Sequence, residues 1–204
     1  MKTKIYKCSN CVNEYEPLYH NGIKKSKLCI PCLSIKGKMI IDKERFSEMK
    51  INCKQPEYKK ELQNNINLLS RMIDEKFGFD CIDCGNFLDK NKHQIDACHF
   101  ISRKKNPTLR YHLDNLHSGH NHCNCYNEIH ESNYKQGLIN RYGELYLSHL
   151  NNLNVKYKEI HLSNVDVVEK LKLVRSIVRN FKTYQLTDSI QVRNLFNNLI
   201  GIYK

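Results

Sequence analysis

The sequence predicts a small α+β fold held together by zinc. Three observations lead there. The chain has 204 residues, is only 40% apolar and lacks Trp, which favours small metal-stapled units joined by helices over one large core. Its ten cysteines include pairs spaced two residues apart, the spacing that turns a chain around one tetrahedral ion. Helix-period and strand-period apolar patterns both occur. Four parts are expected: a zinc-binding unit over 1–34, a basic helical connector over 35–78, a metal-rich core over 79–150 and a helical region over 151–204.

No apolar run approaches the roughly 18 residues of a membrane span, and the start M-K-T-K-I-Y-K-C has no apolar signal core. Membrane association is therefore not expected, and the location expected is the cytoplasm. Cysteines in such a chain point to metal thiolates rather than disulfides. The formal charge is +12. Two zinc sites, one of four cysteines and one of three cysteines and a histidine, would leave about +9. That surplus suits a polyanion, most simply DNA or RNA.

The first unit pairs Cys8-x2-Cys11 with Cys29-x2-Cys32 across 17 residues. Paired knuckles at this spacing read as a structural zinc ribbon, and a unit of this size needs its metal to fold. Asn21-Gly22 marks its turn, and Lys24, Lys25 and Lys27 give that turn a basic tip. In the connector, Lys36, Lys38, Lys43 and Arg45 are basic. After Pro56, Tyr58, Leu62, Ile66, Leu69 and Ile73 fall at helical spacing, and Gly78 ends the stripe. Cys53 is isolated and reads as a buried or free thiol rather than a ligand.

Residues 81–130 hold five of the ten cysteines and seven of the ten histidines. Cys81-x2-Cys84 needs a partner pair. His120-x2-Cys123 and His122-x2-Cys125 both have knuckle spacing; the first is preferred, because Asn124 then follows the last ligand, as in many ββα-metal nucleases. Gln94 to Ile101 reads as a strand after a polar turn at 89–93. Hydrolysis of a phosphodiester needs an activated water and a cation on the phosphate. His99 is the candidate base; Asp96, Asn124 and His130 are candidate ligands for Mg2+ or Mn2+, and Asn115 completes the set. Arg103, Lys104 and Lys105 follow the strand and suit the phosphate backbone. His93 and His112 are expected at the surface. This is the pattern of an HNH-type, ββα-metal core.

The series C-I-D-C-G, D-A-C-H-F, L-R-Y-H-L-D-N-L-H, H-x-x-C-N and Y-K-x-x-L-I-N-R-Y-G resembles the NinG/Rap recombination proteins of lambdoid phages over roughly residues 5–150. The resemblance implies an HNH-like endonuclease that acts with a divalent metal on Holliday junctions and D-loops, in the host cytoplasm. It implies that His99 is the base, Asp96 a metal ligand, Asn115 the residue that orients the loop, and His130 a cation ligand on the helix. Two positions depart from the family pattern. Cys98 stands for a glycine, placing a thiol beside the base that could make activity oxidation-sensitive, and His120 stands for a cysteine.

Towards the C-terminus, Tyr134, Leu138, Tyr142, Leu145 and His149 predict one helix, with a polar break at Asn151, Asn152 and Asn154. Ser163 and Asp166 have capping-box spacing before a stripe of Val168, Leu171, Val174, Val178 and Phe181. A last stripe is Ile190, Leu195, Leu199 and Ile202. These helices are expected to pair within the chain or to form a homodimer interface. Two other functions fit the same residues: a non-catalytic, zinc-dependent DNA-binding recombination accessory, and a less selective HNH nuclease of restriction or homing type.

Overall fold

The computed structural model describes residues 5–7, 14–15, 19–20, 23–24, 57–126 and 129–203. The chain divides into two compact units, Met1–Asn52 and Cys53–Lys204. In the first, β1 (Tyr6–Lys7) pairs antiparallel with β2 (Glu14–Tyr15), and β3 (Tyr19–His20) with β4 (Ile23–Lys24). The second pair flanks positions 21–22, where the sequence predicts a turn. Cys8, Cys11, Cys29 and Cys32, the expected zinc set, lie outside the described residues, as do Cys53 and the basic positions Lys36, Lys38, Lys43 and Arg45.

The second unit starts with α1 (Glu57–Lys76). Its predicted stripe is its buried face: Leu62, Ile66, Leu69 and Ile73 are shielded from solvent. The helix stops because Gly78 takes φ 65°. The Phe79 N–H then reaches back to the Asp74 carbonyl at 3.0 Å, and the Gly78 N–H to that of Glu75 at 3.1 Å. This is a Schellman closure, and it turns the chain towards Cys81.

A two-stranded antiparallel hairpin follows, β5 (Ile95–His99) and β6 (Leu116–His120), in register Asp96↔Gly119 and Cys98↔His117. The outer edge of β6 is occupied. Ser118 N–H donates to Asp74 Oδ2 at 2.6 Å, and the Ser118 carbonyl accepts from Ile82 N–H at 3.0 Å. The Leu116 carbonyl accepts from Ser70 Oγ at 2.8 Å and from Arg193 Nη1 at 2.7 Å. Such occupancy removes the exposed ladder groups a short sheet would otherwise leave to water.

β6 runs directly into α2 (Asn121–Tyr126), which is followed by α3 (His130–Tyr142). α3 lies against the Cys98 face of the hairpin, where Tyr134 Oη donates to the Cys98 carbonyl at 2.8 Å. A glycine makes the approach possible: a Cβ at Gly137 would sit 1.8 Å from the Ile82 carbonyl oxygen. Gly143 (φ 84°) then breaks the chain between α3 and α4 (Glu144–Lys156). The single helix expected from Tyr134 to His149 is thus two, and Leu145 is exposed while Tyr146, Leu150 and Leu153 are buried. The polar break expected at 151–154 lies inside α4, because its other face supplies enough apolar surface to hold the helix.

α5 (Asn164–Asn180) begins with the predicted capping box, both arms of which form between Ser163 and Asp166. Its buried face, including Val168, Leu171, Val174 and Ile177, packs on α1, and Arg175 pairs with Glu61 at 2.6 Å. The last helix, α6 (Ser189–Ile200), corrects the sequence expectation. It buries Val192, Phe196 and Ile200 and leaves Leu195 and Leu199 exposed. The buried face also carries Arg193 and Asn197, polar residues that disguise its phase in the sequence. His112, expected at the surface, is buried against Tyr203, 4.6 Å between ring centroids. Among the described residues no helix is long and apolar enough to cross a membrane.

Candidate functional site

Four side chains converge where the α1 exit, the end of β6 and the start of α2 meet. The ligand atoms of Cys81, Cys84, His120 and Cys123 all lie within 4.8 Å of one another. Cys84 Sγ and His120 Nδ1 are 3.5 Å apart. Zn–S of about 2.3 Å and Zn–N of about 2.0–2.1 Å at a tetrahedral angle give an S–N edge of about 3.5 Å, so this spacing fits zinc. The knuckle turn is local: Cys81 N–H bonds the Asn86 carbonyl and Gly85 N–H that of Cys81, both at 2.9 Å, with Gly85 at φ 68°. The His120 N–H points at Cys81 Sγ at 3.3 Å, a donor suited to a thiolate.

Burial pushes the Cys81 and Cys123 thiols upward and the His120 imidazole downward. Without a cation these thiols keep their protons; the neutral imidazole is already in its ligand form. His120 and Cys123, not His122 and Cys125, are the pair whose ligand atoms gather with those of Cys81 and Cys84. His122 and Cys125 are exposed beside it, the His122 ring stacked on His120 at 5.1 Å.

Cys98 belongs to this side of the hairpin. A Cβ at Gly119 would lie 2.8 Å from Cys98 Sγ and 3.6 Å from Cys81 Sγ, so only the glycine makes room for both sulfurs. Successive strand residues face opposite ways, which puts the Cys98 thiol on the face away from His99. It is buried, and burial raises its pKa.

On the other face, His99 Nε2 is bonded to the Arg110 carbonyl at 3.1 Å. Burial pushes the imidazole down to about 4. Arg110 is itself clamped to α1, its Nε donating to Gln63 Oε1 at 2.8 Å while Gln63 Nε2 donates to the Arg110 carbonyl at 2.9 Å. Asn115 is wholly buried and closes the intervening loop. Its Oδ1 accepts from Ile101 N–H at 2.7 Å, and its Nδ2 donates to the Ile101 and Leu109 carbonyls at 3.0 and 3.3 Å.

Asp96 and Asn124 meet: Asp96 Oδ2 accepts from Asn124 Nδ2 at 3.2 Å and from Asn121 Nδ2 at 2.8 Å. His130 is placed elsewhere, with Nδ1 on Asp83 Oδ2 at 2.5 Å. Among the described residues, the zinc-type set is the one group of three or more His, Cys, Asp or Glu with ligand atoms this close; Asp96, His99 and His130 form no second such group. Arg103, Lys104 and Lys105 are exposed, and Lys105 Nζ reaches Glu131 at 2.8 Å, one residue from His130.

Two residues of this region escape sequence reading. Asp83 sits inside the C-I-D-C knuckle, where an acidic residue reads as solvated filler; its own signal was that position. Arg193 lies far along the chain and is fully buried on Asp74 at 2.5 Å. No curated protein and no solved structure matches the chain. A family model does, described as Bacteriophage Lambda NinG protein and matched over residues 1–180, and the chain, with its ordered cysteine, histidine and asparagine motifs, belongs to that family.

Proposed function

We propose that the chain is a divalent-cation-dependent DNA endonuclease of the HNH type that cuts branched recombination intermediates such as Holliday junctions and D-loops. The observation that carries this reading is the imidazole of His99. With Nε2 donating to the Arg110 carbonyl, Nδ1 is left as the acceptor. A neutral imidazole with an acceptor nitrogen is the form that takes a proton from water. Asp96 would offer a carboxylate oxygen to Mg2+ or Mn2+, with Asn124, whose amide nitrogen reaches that carboxylate, and His130 as further candidate ligands. Such a cation supplies charge at the phosphate and the leaving oxygen. The exposed Arg103-Lys104-Lys105 run and the +12 formal charge favour a DNA backbone partner. The Cys81/Cys84/His120/Cys123 zinc is structural in this reading, and a second zinc on Cys8, Cys11, Cys29 and Cys32 belongs to it. A homodimer would set two such sites on one junction, in the host cytoplasm.

The alternative is a zinc-dependent DNA-binding recombination accessory without catalysis. It is favoured by the Asp96 carboxylate already being held by three amides, those of Gln94, Asn121 and Asn124. Cleavage of a four-way junction in Mg2+ or Mn2+ separates the two, wild type against His99→Ala. The nuclease reading expects cutting by wild type and a loss of about 100-fold or more in the variant. Equal rates, or binding without cutting under both metals, would replace it with the accessory. Equal cutting of linear duplex would point to a less selective HNH nuclease.

A further inference from the structure

We infer that Asp83 is the residue that aims His130, so that the zinc knuckle also sets the geometry of a candidate catalytic imidazole; this rests on the nuclease reading above. Asp83 lies between two zinc-type cysteines, and its carboxylate is fully shielded from solvent. Oδ2 meets His130 Nδ1 at 2.5 Å, and Oδ1 accepts from Asn133 Nδ2 at 3.2 Å, one helical turn further along α3. The contact belongs to a wider seam. Gly137 lets the helix backbone close on the Ile82 carbonyl, and Arg141 Nη2 donates to the Asp80 carbonyl at 2.8 Å. Positions 130, 133, 137 and 141 share one helix face, and that face is laid along residues 80–83.

A carboxylate only accepts. Nδ1 must therefore carry a proton, and in the neutral ring the lone pair falls on Nε2. The Tyr134 ring packs beside the imidazole at 5.5 Å, and the His130 side chain keeps 23% of its surface open to solvent. The arrangement is an imidazole whose outward nitrogen is fixed as an acceptor, the form that binds a divalent cation, with a buried carboxylate behind it. Carboxylate partners of this kind fix the ring and raise its basicity, and their removal costs about 10–100-fold in metal affinity or activity. Asp83 is a positioning residue, acting through His130.

The experiment uses the full, zinc-loaded chain. Ring 15N–1H spectra of His130 at fixed pH, assigned by comparison with His130→Gln, read the tautomer directly. Junction cleavage in Mn2+ reads its use, and bound zinc is measured alongside. Wild type is expected as the Nδ1–H tautomer. Asp83→Asn should lose that bias and cut about 10–100-fold more slowly with zinc retained, and its effect should vanish in a His130→Gln background. Asn133→Ala, which leaves the carboxylate in place, should give a smaller loss in the same direction and serves if Asp83→Asn does not fold. An Nε2–H tautomer in wild type overturns the inference. So does wild-type cutting by Asp83→Asn, or an Asp83→Asn loss that persists undiminished without His130. If wild type shows the Nδ1–H tautomer, lost in Asp83→Asn, but wild type itself cuts no junction, the nuclease reading fails while Asp83's hold on the ring stands.

Discussion

Asn115 has no exposed surface and spends its whole amide on the loop that joins the two strands. Truncating it to Ala leaves the Ile101 N–H and carbonyl without that partner in a buried place. Each such group costs about 1–3 kcal/mol, so Asn115→Ala should lose about 2–4 kcal/mol in urea unfolding with zinc present; a change under about 0.5 kcal/mol would show that the amide is not what closes the loop. The histidines set a second residue-scale expectation. His99 and His112 are both pushed down to about 4 by burial, from an ordinary value near 6.5. Between about pH 6.5 and 4 the unfolded chain binds protons that the folded chain refuses. Stability is therefore full above 6.5 and falls as pH drops through that window. Thermal melts across it should show the decline, and His112→Gln should flatten part of it. A flat wild-type profile would contradict the buried, neutral rings. On the nuclease reading, a His99 held that low predicts an acid limb well below pH 6, which a pH–rate profile checks.

At the scale of elements, the hairpin depends on parts remote in sequence. Arg193 of α6 binds Asp74 of α1 and the Leu116 and Leu113 carbonyls, joining both helices to the edge of β6. Arg193→Met leaves the Asp74 carboxylate buried with less compensation, a change that typically costs about 3–5 kcal/mol. Equilibrium unfolding of the variant checks it, and a loss below 1 kcal/mol would mean that Arg141, 3.7 Å from Asp74, suffices. Sequence periodicity read α1 and the α5 capping box correctly, since apolar side chains and the cap residues there state their own phase. It misread α6 because Arg193 and Asn197 occupy core positions, and polar residues count as surface in any periodicity. It joined α3 to α4 because only the backbone at Gly143 reveals the break.

For the whole second unit, metal is expected to be part of the fold. The ligands come from the α1 exit, β6 and α2, so one ion ties three segments. Chelation should lower the melting temperature markedly, zinc should restore it, and Mg2+ should not. Unchanged melting after proven zinc loss would show that packing alone holds the hairpin. This ligand set was legible, because cysteine and histidine spacing encodes a tetrahedron directly. The other candidate residues were legible as members of a motif series, but not their company. That Asp83 holds His130, or that Asp96 meets Asn124, depends on how helices cross, which spacing does not encode.

The Arg193–Asp74 contact spans 119 positions, and this bears on the order of events during synthesis. The zinc-type ligands and the hairpin emerge from the ribosome well before α6. Until α6 arrives, Asp74 lacks that partner and the Leu116 carbonyl lacks one of its donors. A chain interrupted before residue 193 can gather its metal ligands yet not finish the strand that bears His120. The polypeptide thus cannot complete this core until α6 has been made, and a copy interrupted before it would present an unfinished edge.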